Sequence, residues 1–211
     1  MIVRPVVYSG GLQRSAAPGD LLAGGESVAN SALTTAGAGT ITAAILATGY
    51  CIRTGPTGAY TDTTGTASEI IAALPGCNKG DTFKFRHMNT VAYACTLAGG
   101  TGVTLGTTPS TAVSASLTKD YLVTITNNTP VSTVTCSITN ASKVITGMTL
   151  AQTSAISIGQ LVTGTGAGSA AVVTSIQPGV GVNVSVNSSA TNTLASFTFS
   201  PTVRIDAISM G

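Results

Sequence analysis

The residues able to do chemistry are few. The chain has one histidine, His87, seven acids (Asp20, Glu26, Asp62, Glu69, Asp81, Asp120 and Asp206) and four cysteines (Cys51, Cys77, Cys95 and Cys136). Any Ser-His-Asp or Cys-His constellation has to be built around that one imidazole. His87 sits beside Phe85 and Met88 in a strand-like run, which gives it a structural or surface role. The acids are scattered. A glycosidase-type carboxylate pair can arise in any fold, but no spacing here favours one. Asp62 reads as a turn former and Glu69 as a helix cap. The cysteines lack a C-x-x-C pair and have one histidine to join them, which argues against zinc. Cys51 and Cys95 lie in apolar strand patterns and read as buried thiols, with the three disulfide pairings of four cysteines left open. The Gly-rich phrase GTGAGS lacks the Lys-Ser/Thr of a phosphate loop. Together these residues predict a non-enzymatic chain with no catalytic, cofactor-binding or metal residues.

Composition says what must carry the function instead. Of 211 residues only 8% are charged, against roughly a quarter in an ordinary globular protein. Aromatic residues make up 4%, Trp is absent, and Thr, Ser, Gly, Ala and Val dominate. Poor in helix formers and rich in β-branched and turn residues, the chain predicts an all-β fold. Disorder goes with low hydrophobicity and high net charge, whereas here 43% of residues are hydrophobic and the net charge is +2. Without a run of Lys or Arg, no nucleic-acid footprint is present. MIVRPVVYSGG does not read as a secretory signal, and no window reaches the ~18 apolar residues of a membrane helix. The expectation is a soluble product of a cytoplasm, with no membrane partner and much of its surface buried in an assembly.

Taken in order, residues 1–30 read as an extended N-terminal arm, with Pro5 confining a short Val3/Val6/Val7 strand to an edge. Residues 31–130 read as a core β domain of jelly-roll or sandwich type. Within it, Ile41, Ala43 and Ile45 alternate as a strand running on to Arg53. One short helix is predicted from Ala67, with Thr66 as N-cap, Glu69 completing a capping box, and Ile70, Ile71 and Leu74 as its apolar face. Phe83, Phe85 and His87 share one face of the next strand, and Gly99–Gly102 reads as a hairpin turn. Between Pro130 and Pro201 the composition changes: residues 131–199 hold one charged side chain, Lys143. They read as a small inserted β module, with 200–211 returning as the last strand of the core domain.

The phrases GYCIRTGPTGAYTDTTGTASEIIAALPG, GDTFKFRHMNTVAYACTLAGGTGVTL and KDYLVTITN, over roughly residues 40–127, resemble virion proteins of tailed bacteriophages, the cement and head-decoration type among them. The phrase Ile158–Gly166 resembles a small β repeat of phage structural proteins, tail and fibre components included, with Gln160 where Met is usual. The resemblance implies a capsid cement or decoration protein that binds across capsomers. The major capsid protein and two further copies of the chain (a homotrimer) would be its partners, and the virion surface its location. The alternative it implies is a tail-fibre or baseplate component facing a host receptor. As shell contacts the sequence offers Val3, Arg4, Val6, Val7, Arg14, Leu21 and Leu22, apolar residues and arginines of a segment too sparse to form its own core. Arg53, Arg86 and Arg204 are suited to interfacial pairing with carboxylates, or to a solvated surface.

Overall fold

The computed structural model describes the backbone of residues 7–9, 12–14, 21–23, 31–107 and 110–208, and side chains from residue 31 onward. The fold is all-β, with short helices at its corners. The chain divides into two compact units, residues 1–125 with 203–211, and residues 126–202.

In the first unit, the described parts of the N-terminal segment are β1 (Val7–Ser9), β2 (Leu12–Arg14) and β3 (Leu21–Ala23), an antiparallel meander where an extended arm was expected. The chain then winds between two sheets. β4 (Ala32–Leu33), β6 (Tyr50–Arg53) and β8 (Thr82–Asn89) lie parallel in one, and β5 (Gly39–Ile41), β7 (Tyr60–Thr64) and β9 (Cys95–Ala98) lie parallel in the other. Each strand of one sheet is thus followed by a strand of the other, as in a solenoid. A jelly-roll is built from antiparallel Greek keys, so of the two expected architectures the sandwich-like one describes this unit. The first sheet is completed by β10 (Val103–Leu105), β11 (Thr118–Asn127) and β18 (Thr202–Ala207), in the order β10-β18-β11-β8-β6-β4. Gly99–Gly102 therefore makes a corner between sheets, not a hairpin.

The inward faces follow the period of two. Phe83, Phe85, His87 and Asn89 of β8 are buried while Lys84 and Arg86 point out. Tyr121, Val123 and Ile125 of β11, and Val203 and Ile205 of β18, join Ile41, Tyr60 and Leu97 in one core. Helix α2 (Ala67–Ala72) covers it with Ile70 and Leu74, and its Thr66/Glu69 capping box is formed in both directions. The strand expected through Ala43 and Ile45 stops at Ile41. Residues Ala43–Ala47 are instead helix α1, capped by Thr42, whose side chain accepts from the Ile45 N–H. Ala-Ala-Ile-Leu-Ala is a good helix sequence, and Gly49, at φ 77°, provides the left-handed stop just past its end. A capped turn of helix thus displaced an alternation that Ala makes ambiguous.

The second unit is a small barrel. β12 (Ser132–Ile138), β13 (Val144–Thr146), β14 (Leu161–Gly164), β15 (Val173–Gln177), β16 (Gly181–Val184) and β17 (Asn192–Ser200) form a sheet in the order β14-β17-β12-β13-β16-β15. The ends of its first and last strands approach through one isolated bridge, Leu161 with Val172, flanked by bonds from the Val162 N–H to Ala171 at 2.7 Å and from the Val173 N–H to Gln160 at 2.9 Å. Phe197, Phe199, Ile145, Val162 and Val182 fill the interior. Helix α3 (Leu150–Ser154), which the sequence reading did not anticipate, carries a second capping box, Thr149 with Gln152.

Candidate functional site

The chemically able side chains converge in the interior of the first unit. β6 directs Cys51 and Arg53 inward and β7 directs Tyr60 and Asp62 inward; β8 contributes His87 and Asn89, and β9 Cys95. Parallel register makes this possible: Cys51 pairs with His87 across β6 and β8, and Tyr60 with Cys95 across β7 and β9.

Arg53 is the centre of the cluster, with no solvent exposure. Its Nε donates to Asp62 Oδ2 at 3.0 Å, and its Nη1 to the carbonyls of Leu33 and Thr35 at 2.8 and 2.9 Å. Its Nη2 donates to the Gly37 carbonyl. The guanidinium also stacks on the Tyr60 ring, 4.9 Å from its centroid. One cation thereby binds three carbonyls, from the end of β4 and the exposed turn that follows it, and anchors that turn to the core. Gly39 is required beside it, since a Cβ there would lie 2.7 Å from Leu33 and 3.1 Å from Arg53 Nη2. The Gly39 N–H donates to Asp62 Oδ1 at 2.9 Å.

His87 is different. Its side chain is fully buried, Nε2 lies 3.8 Å from Asp62 Oδ2, and neither ring nitrogen has a hydrogen-bond partner. Burial holds its pKa down, the Asp62 carboxylate opposes this, and the Arg53 cation reinforces it. The imidazole is therefore neutral near pH 7. Burial, with Asp62 adding to it, pushes the Cys51 thiol up to about 12 and the Cys95 thiol to about 11. Neither is a nucleophile at neutral pH, because the thiolate is the reactive form. The Tyr60 hydroxyl, also pushed up by burial, donates to Asn89 Oδ1 at 2.9 Å.

Two expectations from the sequence are corrected by this geometry. Asp62 is a strand residue facing the core, not a turn former. Arg53 is neither solvated nor interfacial. The absence of C-x-x-C spacing did not keep potential metal ligands apart, since donor atoms of Asp62, His87 and Cys95 all lie within 4.8 Å of one another. The available signal was a charged or imidazole side chain at the inward phase of an apolar strand, which is the informative kind of exception. Arg86 and Arg204 pair within the chain, with Asp120 and Asp206, both at 2.7 Å. All four cysteines are buried as thiols.

Among the sequence-predicted shell contacts, Val3, Arg4 and Val6 lie outside the described residues. Val7, Arg14 and Leu21 stand opposite one another across β1, β2 and β3, and Leu22 opposite Gln13. A shallow depression elsewhere, lined by Thr40, Thr42, Ala43, Ala44, Gly65 and Glu69, holds one ionisable side chain and no nucleophile-base pair. No described helix is long and apolar enough to cross a membrane.

Compared with protein families, with curated proteins and with solved structures, the chain matches none. Function must therefore be argued from the residues. Through Arg53 the cluster ties the exposed turn between β4 and β5 to the core by hydrogen bonds, while the cluster's own side chains are closed to solvent. That arrangement holds a fold together.

Proposed function

We propose that this chain is a non-enzymatic structural protein of a phage virion, a cement or decoration protein that binds across capsomers and stabilises the shell. The observation that carries the reading is the surface of the second unit. Lys143 is its single charged residue, yet Val131, Leu150, Ile158, Val180 and Leu194 stand exposed on it. A rigid, nearly uncharged surface with projecting apolar side chains can be covered by a partner without desolvating ions. The resemblance of residues 40–127 and 158–166 to virion proteins supplies the kind of partner. The major capsid protein is then the neighbour, and a homotrimer the arrangement that buries such a surface with closed symmetry.

Antibody raised against the recombinant chain and gold-labelled on particles from a producing lysate tests the reading. Label over the heads supports it. Label over the tails replaces it with the tail-fibre or baseplate role facing a host receptor, and particles without label overturn both.

A further inference from the structure

We propose that Asp62, His87 and Cys95 form a binding site for one divalent transition metal, zinc by its ligand chemistry, with Cys51 closing the coordination sphere. The inference concerns the first unit alone and does not rest on the virion reading.

The three donors stand slightly wider apart than a bound metal would hold them. Asp62 Oδ2 lies 3.8 Å from His87 Nε2 and 3.8 Å from Cys95 Sγ. Zinc bonds of about 2.0–2.3 Å in a tetrahedron place neighbouring donors roughly 3.3–3.6 Å apart, so these two contacts have only a few tenths of an ångström to close, and all three donors already lie within 4.8 Å of one another. The donors are a carboxylate, an imidazole and a thiol, a mixed set that zinc accepts and that magnesium or calcium does not.

An independent observation points to a ligand. His87 Nε2 is fully buried, directed at Asp62, and has no hydrogen-bond partner. Buried polar atoms are nearly always satisfied, and those that are not call for an explanation such as an ion. A metal between the three donors engages Nε2 with the neutral imidazole it needs. Asp62 is already oriented by Arg53 Nε and the Gly39 N–H, the kind of outer support that metal-ligating carboxylates receive.

Charge decides the fourth ligand. Arg53 and Asp62 cancel, so a divalent cation with the Cys95 thiolate alone would leave one buried positive charge. Cys51 is also unexposed and pairs with His87 across β6 and β8; it lies outside the three donors grouped within 4.8 Å, so its side chain has to swing in to bind. If both thiols lose their protons to solvent on coordination, two thiolates balance the metal and the buried cluster is neutral. The site would tie β6 and β8 of one sheet to β7 and β9 of the other.

The full chain, purified from cells grown with added zinc, is expected to hold one zinc per chain by elemental analysis. Growth with cobalt instead should give thiolate-to-cobalt charge-transfer absorption and the strong visible bands of a tetrahedral site. Cys95→Ser and His87→Gln should lower the metal to background, whereas Cys136→Ser, at a buried thiol of the second unit, should retain one per chain. Cys51→Ser should weaken the charge-transfer band; an unchanged band overturns the assignment of the fourth ligand. Folded wild-type protein without stoichiometric metal overturns the whole proposal whatever the variants do. So does metal that persists in both Cys95→Ser and His87→Gln.

Discussion

Arg53 and Asp62 show how much one buried pair can be asked to hold. The pair has no solvent exposure, and the cation also serves the carbonyls of Leu33, Thr35 and Gly37. Removing one partner of a buried ion pair leaves the other charge uncompensated and costs about 3–5 kcal/mol. Asp62→Asn is therefore expected to lower the stability of the first unit by that amount in urea unfolding, with the second unit's transition unmoved. The double variant Arg53→Met/Asp62→Leu should recover part of the loss, since no lone charge remains. A further loss in the double variant would mean that the carbonyl bonds outweigh the charge balance. Leu194 is the opposite case: 79% exposed and held at φ 53°, beside a register shift in the pairing of β12 with β17. A left-handed backbone costs a leucine about 1–2 kcal/mol, while glycine adopts it freely but loses more entropy on folding. Leu194→Gly should raise the melting temperature of the second unit slightly or leave it unchanged. If the exposed apolar surface is the docking face, the same variant should lower occupancy on particles. Strain retained on an exposed leucine is then explained by what it touches.

At the scale of elements, the sequence was legible where local chemistry and burial agree. Thr66 and Glu69 announce α2, and alternation places Phe83, Phe85 and His87 on one face of β8, because capping and the period of two are properties of neighbours in the chain. Thr149 and Gln152 carry the same signal for α3, and it was passed over because the flanking residues read as strand. Its contribution can be measured: Thr149→Ala should cost about 1 kcal/mol, the usual loss of an N-cap, seen as a lower midpoint for the second unit only. Parallel pairing was not legible, since nothing local to β6 records that β8, more than thirty residues later, lies beside it. The Arg53–Asp62–His87–Cys95 cluster depends on that register, which is why each residue taken singly received a blander role. The pair Arg86–Asp120 on the outer face of β8 and β11 gives a check on electrostatics. Hydrogen bonding to Arg86 holds the Asp120 carboxyl below its usual value. The associated stability is therefore present above the ordinary aspartate range and lost as pH falls through the folded value. The Arg86 side chain is half exposed, so Asp120→Asn should remove only about 0.5 kcal/mol at pH 7, and less at acid pH, measured by urea unfolding across the acid range.

For the whole molecule, the division into two units makes a prediction about folding. The chain leaves the first unit after Ile125 and re-enters it at Val203. Thr126 and Thr202 meet through their hydroxyls at 2.8 Å, and further along, the Ile208 N–H donates to the Asp120 carbonyl. β11 and β18 are thus antiparallel neighbours whose ends nearly touch, so a two-residue turn can join them. Each unit also has its own buried core, one around Phe85 and Tyr121 and the other around Phe197 and Phe199. Excising residues 126–202 and linking Ile125 to Val203 through Asn-Gly, a pair suited to a two-residue hairpin, should leave a first unit that unfolds cooperatively. Residues 126–202 expressed alone should likewise give one cooperative transition, because their buried core is made from their own side chains. Single transitions in both pieces, at midpoints matching two in the full chain, would establish two independent folding units. A first unit that loses its cooperative transition on excision would show instead that β11 and β18 depend on the barrel for their register, and the chain would be one folding unit with two cores.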